Sequence, residues 1–170
     1  MKKAMKFVIA MAMVLMMSGG AMAQGFDAQG SALVPNVVYS YHTNNYTQYT
    51  DIILSNITSS DVQCKVTVYD HNGNDVTSLC KVSTGSDNTG IPVAVVSGAE
   101  LFDIPAHSSR MVVVGRDHIA KYIIGYAVVE WKSSDTTLRR ALIGGVKTPA
   151  KSSSYHGKGG TAYINNGQPF

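Results

Sequence analysis

The chain has 170 residues, with 14 Lys and Arg against 11 Asp and Glu. Lys2, Lys3 and Lys6 lie in an N-terminal segment that we predict to be removed, which leaves 11 basic residues against 11 acidic ones. A neutral mature chain excludes the usual inference from a basic protein to nucleic acid, and its length is enough for one domain without a second.

Residues 1–23 have the parts of a secretory signal peptide. Three lysines precede an unbroken apolar run, residues 7–17, which is too short to span a bilayer core of about 30 Å as a helix. Ala21, Met22 and Ala23 form a small-x-small cleavage site. The sequence therefore predicts a mature bacterial chain that begins at Gln24, has no membrane span and is periplasmic or extracellular.

The mature chain alternates apolar and polar side chains with period two, and its turns are rich in Asn, Asp, Gly, Ser and Pro. The predicted strands are 33–41, 47–55, 62–69, 75–82, 92–102, 110–115, 122–131 and 138–146. This spacing predicts a single all-β domain over residues 24–147, an antiparallel β-sandwich of seven to eight short strands. The strands are too short and interrupted for the sustained alternation of an outer-membrane barrel.

A tyrosine-rich segment, "YSYHTNNYTQYT" at 39–50, is the candidate binding site. Flat rings among Asn, Gln and Thr suit a saccharide or another protein as ligand. Alternating Tyr and Thr are also ordinary strand residues, so burial explains the same pattern. The candidate ligand-binding residues are Tyr39, Tyr41, Tyr46 and Tyr49.

The loop that follows the third predicted strand, "DHNGND", is dense in oxygen ligands. Asp70, Asn72 and Asp75 are candidate calcium ligands, but Asp75 stands where an EF-hand needs glycine and Lys81 where it needs glutamate. A three-residue hairpin loop closing onto Gly73 explains the same residues and places Asp70 opposite Asn74.

That hairpin register also predicts a disulfide. If the two strands continue without interruption, Val68 faces Val76 and Cys64 faces Cys80. Facing cysteines in an exported protein are expected to be oxidised, and closing a loop of this length contributes about 3 kcal/mol.

Catalytic motifs are missing from the sequence. The five histidines have no metal-ligand spacing, there is no G-x-S-x-G elbow, and no cofactor motif occurs. "FDIPAHSSR", with Asp103, His107, Ser108 and Ser109, is better explained as a strand end and a proline turn. "GRDHIAK", which contains His118, is better explained as a solvated loop. We expect no enzyme activity, although a hydrolase with dispersed catalytic residues stays an alternative.

The last part of the chain contains two further signals. "YIIGYAVVEW", residues 122–131, is apolar at both parities and predicts a central strand covered on both faces. After Lys147 the Ser, Gly and Lys content predicts a flexible C-terminal tail over residues 148–170.

Three motifs between residues 51 and 131 resemble small bacterial β-sandwich proteins of the sensory rhodopsin transducer type. These are an Asn-ended strand, a V-x-V-x-Y-D-x-x-G hairpin ("VTVYDHNG") and an I-P-A-x-S-S turn ("IPAHSS"). The resemblance implies a sandwich fold and carries no active site across. Those transducers are cytoplasmic, so their signalling role is not transferred to a chain with an export signal.

Taken together, these patterns predict an exported, non-catalytic binding or surface-assembly protein. Its expected partner is another protein or a saccharide, and homo-oligomers are compatible with the sequence. The alternative within this class is a fimbrial-like structural subunit that adds a strand to its neighbour.

Overall fold

The computed structural model describes residues 25–43, 46–115, 120–152 and 156–170. In these ranges the chain forms strands and short 3-10 turns and no α-helix, which confirms the predicted all-β class. The strands are β1 (Gly30–Thr43), β2 (Tyr46–Gln48), β3 (Thr50–Asn56), β4 (Val62–Tyr69), β5 (Cys80–Thr84), β6 (Val93–Ser97), β7 (Phe102–Ile104), β8 (Ser109–Val114), β9 (Tyr122–Ser133), β10 (Leu142–Ser152) and β11 (His156–Tyr163). The predicted signal peptide, residues 1–23, lies outside the described residues.

All strands belong to one antiparallel sheet, in the order β6-β5-β8-β3-β10-β2-β1-β9-β4-β7, with β11 beside β10. The sheet curls until its two ends nearly meet. Residues 98 and 99 bridge the gap, because Gly98 N–H donates to the Cys80 carbonyl and Val66 N–H donates to the Ala99 carbonyl, both at 2.8 Å. The fold is therefore a nearly closed barrel, and the prediction of two packed sheets is not confirmed.

The barrel turns a corner where β2 and β3 follow each other. Both pair with β10 along one edge, but on the other edge β2 pairs with β1 and β3 pairs with β8. At this fork the buried Thr50 hydroxyl donates to the Val38 carbonyl and accepts from the Val38 N–H, both at 2.9 Å. One side-chain hydroxyl thus satisfies two backbone groups at a place where the strand ladder divides.

The barrel interior is filled by aliphatic side chains from every side of the sheet. Its largest fully buried side chain is Trp131, on β9. The indole lies directly over Gly30 of β1, where a Cβ atom would come within 2.5 Å of the indole nitrogen. Only glycine leaves room for the ring there, so β1 and β9 are matched in shape as well as in hydrogen bonding.

The hairpin between β4 and β5 begins as the sequence predicts. Asp70 N–H donates to the Asn74 carbonyl and Gly73 N–H donates to the Asp70 carbonyl, both at 3.0 Å. Gly73 has a φ of 79°, in the left-handed region that favours glycine. The three-residue loop and its register are confirmed as far as Val76, whose N–H donates to Val68.

Beyond Val76 the predicted register is wrong. The Thr77 hydroxyl accepts the Val68 N–H at 2.9 Å, and the chain then makes a 3-10 turn, Thr77–Leu79, that leads away from β4. As a result Cys80 lies opposite Val114 in β8, while Cys64 lies between β7 and β9. Both cysteines are buried free thiols, and the predicted disulfide is not formed in the structure.

Most of the segment after Lys147, predicted as a flexible tail, forms strands and core contacts in the ranges that the structure describes. β10 continues to Ser152 and pairs with β11 as a hairpin. Ile164 is fully buried and Phe170 is 7% exposed in the same core. Phe170 exchanges backbone hydrogen bonds with Leu142. Composition alone failed here because two apolar side chains and a strand partner order a segment that is otherwise rich in Ser and Gly.

The buried Asn56 joins the motifs that carry the resemblance noted above. Its amide nitrogen donates to the carbonyls of Ser60, Ile104 and Pro105 at 2.8–3.2 Å. Its amide oxygen accepts from the N–H and hydroxyl of Thr58. The Asn-ended strand and the I-P turn are therefore in direct contact, which gives both motifs a structural role.

We expect Asn56→Ala to lower the free energy of unfolding by about 2–4 kcal/mol, because it leaves buried carbonyls and donors without partners. Urea unfolding of the purified protein measures this. The matched control is Asn72→Ala in the exposed hairpin loop, which is expected to change stability by about 0.5 kcal/mol or less. Equal effects of the two substitutions would contradict the role given to Asn56.

We also expect both thiols to be unreactive in the folded protein. Burial raises the pKa of the Cys80 thiol to about 12 and raises the pKa of the Cys64 thiol as well, so little of the reactive thiolate exists near neutral pH. Intact mass after iodoacetamide treatment should show no adduct when folded and two adducts when unfolded without reductant. Adducts that appear only after reduction would show that the disulfide forms.

Candidate functional site

The candidate site is the outer surface of β9. The sequence predicted that both faces of this strand would be covered, and the structure covers only one. Ala127, Val129 and Trp131 point into the core and are fully buried. The alternate residues point outward, where Tyr122 is 61%, Ile124 51% and Tyr126 42% exposed. The prediction of a central strand is correct, but that of two covered faces is wrong.

Neighbouring strands extend this apolar surface on both sides. Cross-strand partners share a face of the sheet, and β1 places Leu33 opposite Val128 and Val38 opposite Ile124. On the other side, β4 places Tyr69 opposite Tyr126, with the two ring centroids 5.2 Å apart. We call this surface the β9 face; it consists of Leu33, Val38, Tyr69, Tyr122, Ile124, Tyr126 and Val128.

Charged side chains lie at one end of the β9 face. Lys65 and Glu130, one step along β4 and β9, form an ion pair with a nitrogen–oxygen distance of 3.4 Å. The next outward residue on β9, Lys132, lies 4.9 Å from the ring centroid of Phe26. The face itself carries no charged residue, so it presents a neutral surface to a partner.

The area of the β9 face lies in the range of apolar patches that often act as interaction sites. A whole aromatic side chain offers about 200 Å², so the open fractions of Tyr122 and Tyr126 leave about 200 Å² accessible. Leu33, which is 59% exposed, and Ile124 add roughly 130 Å². The partly exposed members bring the total to about 400 Å². The largest apolar patch of an ordinary monomer covers about 300–600 Å² and is often an interaction site.

The four tyrosines of the predicted binding site do not share one surface in the described part of the chain. Tyr39 is 1% exposed, and its ring lies against Gly115, where a Cβ atom would come within 2.0 Å of it. Tyr41 is partly buried, and the side chain of Tyr46 lies outside the described residues. Tyr49 lines a cleft of about 430 Å³ together with Thr47, Asp51, Pro92, Met111, Val113 and Gly115.

The candidate calcium ligands are engaged in the hairpin. The Asp70 carboxylate accepts the N–H groups of Asn72 and Asn74 at 2.8 and 2.9 Å and the Asn74 side-chain amide at 3.1 Å. These hydrogen bonds, that of the Asn74 side chain first, lower the pKa of Asp70. Asp75 accepts the Thr77 N–H. In the described ranges no three His, Cys, Asp or Glu side chains are grouped as metal ligands.

The residues considered as catalytic candidates make structural hydrogen bonds in and beside the turn that precedes β8. The Ser108 hydroxyl donates to the Pro105 carbonyl at 2.8 Å, and the Ser109 hydroxyl lies 2.7 Å from that of Ser55. His107 has a left-handed φ of 55° in the same turn. His118 lies outside the described residues.

The sequence did contain the signal for the β9 face. Residues 122–131 are apolar at both parities, which fits either a strand covered on both sides or a strand with one bare apolar face. A sheet that closes on itself has only one interior, so the second set of apolar residues must lie outside.

Among the described residues, no helix is long and apolar enough to cross a membrane. No protein-family model matches the sequence, and neither a curated protein nor a solved structure is significantly similar to it. The function is therefore inferred from geometry and chemistry alone.

Proposed function

We propose that this chain is an exported, non-catalytic protein that acts by binding or assembling with another protein, and that the β9 face is its contact surface. The observation that carries the proposal is the exposure of Tyr122, Ile124 and Tyr126 on one continuous apolar surface. Leaving such a surface in water has a free-energy cost of about 25 cal/mol per Å². A protein partner that covers it recovers that free energy.

The composition of the β9 face supports a protein partner. Interface cores are rich in tyrosine and large aliphatic residues and poor in charge. Tyrosine gives a large contact area with few rotatable bonds, and its hydroxyl keeps the surface compatible with water before binding. The three tyrosines of this face, Tyr69, Tyr122 and Tyr126, have both properties.

Export is supported by the N-terminal segment and is compatible with the buried cysteines. In an oxidising compartment, exposed thiols form disulfides. Cys64 and Cys80 are separated by the Thr77–Leu79 turn and buried, and the raised pKa of each disfavours the thiolate that oxidation requires.

A structural subunit remains the second candidate, supported by a different part of the molecule. Donation of the C-terminal tail is not favoured, since β11 pairs with β10 of its own chain. Within the described ranges β6 pairs only with β5, and its Val93 and Val95 are 49% and 45% exposed. An uncharged edge strand can accept a strand from a neighbour. An irregular register between β5 and β6 makes this edge less suited to strand addition.

The cleft beside Tyr49 is the candidate site for a saccharide among the predicted binding tyrosines. A volume of about 430 Å³ with one aromatic ring, a carboxylate and a hydroxyl is large enough for a small ligand. The cleft does not account for the exposed β9 face, and for that reason a protein partner is preferred.

Site-specific photocrosslinking tests the proposed function. We expect p-benzoylphenylalanine in place of Tyr126 to give a crosslinked adduct when cells that express the chain are irradiated. The matched control places the same group at Tyr163, which is 75% exposed on β11, away from the β9 face. Mass analysis of the adduct also shows whether the chain begins at Gln24, as export requires. Equal crosslinking at both positions, or none at Tyr126, would contradict the proposal.

A further inference from the structure

We infer that the partner of the β9 face is a second copy of this chain, packed face to face about a two-fold axis. This inference rests on the proposed function, because it names the partner of the same surface. It depends on three properties of the β9 face: its charge, its area and its shape.

The charge of the face suits its own copy. In a two-fold interface, residues near the axis meet their own copies, so unpaired charges there would repel. The β9 face has none, and the adjoining Lys65 is already paired with Glu130 at 3.4 Å. The predicted mature chain, with 11 basic and 11 acidic residues, adds no net repulsion between two copies.

The area of the face also matches a dimer. A standard interface buries about 800 Å² on each partner, of which a little over half, about 450 Å², is apolar. The β9 face offers about 400 Å² of apolar surface on each copy. The polar side chains around it would supply the rest as a rim.

The shape of the face permits sheet-on-sheet packing. β9 is paired with β1 over residues 122–131 and with β4 over residues 126–133, so over most of its length this strand presents side chains and not backbone groups to a partner. Two such sheets pack at a separation of about 10 Å when their side chains interdigitate.

Ile124 occupies the middle of the arrangement. It lies between Tyr122 and Tyr126 on β9 and opposite Val38 on β1. In a two-fold dimer centred on this face, Ile124 of one copy lies near Ile124 of the other. A charged residue at position 124 therefore meets the same charge in a dimer of one variant. It meets the opposite charge when a chain with Lys at this position pairs with a chain with Glu.

The experiment uses two variants, Ile124→Lys and Ile124→Glu, with the mass in solution measured by light scattering over a protein range of ~1 μM to ~1 mM. The unmodified chain is expected to move from one chain mass to two as concentration rises. Each variant alone should stay at one chain mass, and an equimolar mixture should regain the dimer. Ile57→Lys, at a position 47% exposed outside the β9 face, should leave the dimer unchanged. Equal melting temperatures of the two variants establish that both are folded.

Three results would overturn the inference. An unmodified chain that stays at one chain mass throughout shows that the partner is not a second copy, and an adduct between the Tyr126 photoprobe and a different protein would then still support the proposed function. A dimer that survives Ile124→Lys uses another surface, which refutes this assignment as well. If both variants lose association and their mixture does not regain the dimer, Ile124 does not lie near the two-fold axis. That result rejects the dimer centred on the β9 face.

Discussion

β9 is paired with β1 on one edge and, over residues 126–133, with β4 on the other, and this double pairing organises the barrel. Ladder bonds run along nearly its full length, from Gly30 opposite Trp131 to Ser40 opposite Tyr122 on one side. A strand bonded on both edges has only its two faces free, and the curl of the sheet buries one of them. The core and the exposed apolar surface are therefore two consequences of the same pairing.

Where the backbone ladder between strands is interrupted, individual hydrogen bonds hold the strands in place. Thr50 bonds both backbone groups of Val38 at the fork, and Asn56 ties the end of β3 to the turn before β8. Phe170 joins the C-terminus to the start of β10 through its backbone hydrogen bonds with Leu142. Each device joins residues far apart in the sequence, so the fold is stabilised by long-range polar contacts as well as by apolar burial.

These devices explain how much could be predicted from sequence. The all-β class and the Gly73 hairpin followed from local patterns, since period-two alternation and turn glycines act over a few residues. The predicted Cys64–Cys80 pairing is not found, because the Thr77 hydroxyl takes the place of a backbone acceptor and ends the ladder. The prediction of a flexible C-terminal tail was wrong because this segment is ordered by its pairing with β10, which composition does not reveal. Alternation of apolar and polar residues shows which side chains are buried, but it does not show how a sheet curves. The sequence pattern therefore could not distinguish a sandwich from a barrel.

For the candidate site too, local sequence patterns predicted one part and long-range structure determined the rest. Residues 122–131 were identified as apolar on both parities, yet the sequence could not show that the second face lacks cover. The tyrosines at 39–50 were selected by composition, and the structure buries Tyr39 while leaving Tyr122 and Tyr126 outside. The distinction between a core tyrosine and a surface tyrosine depends on which way the sheet bends.

Hydroxyl-radical footprinting shows whether the β9 face is covered when the protein is at work in the cell. We expect Tyr122 and Tyr126 to be oxidised less in intact cells that express the chain than in dilute purified protein, while Tyr163 is oxidised equally in both. Equal oxidation of Tyr126 in the two states would show that the β9 face stays exposed and has no partner.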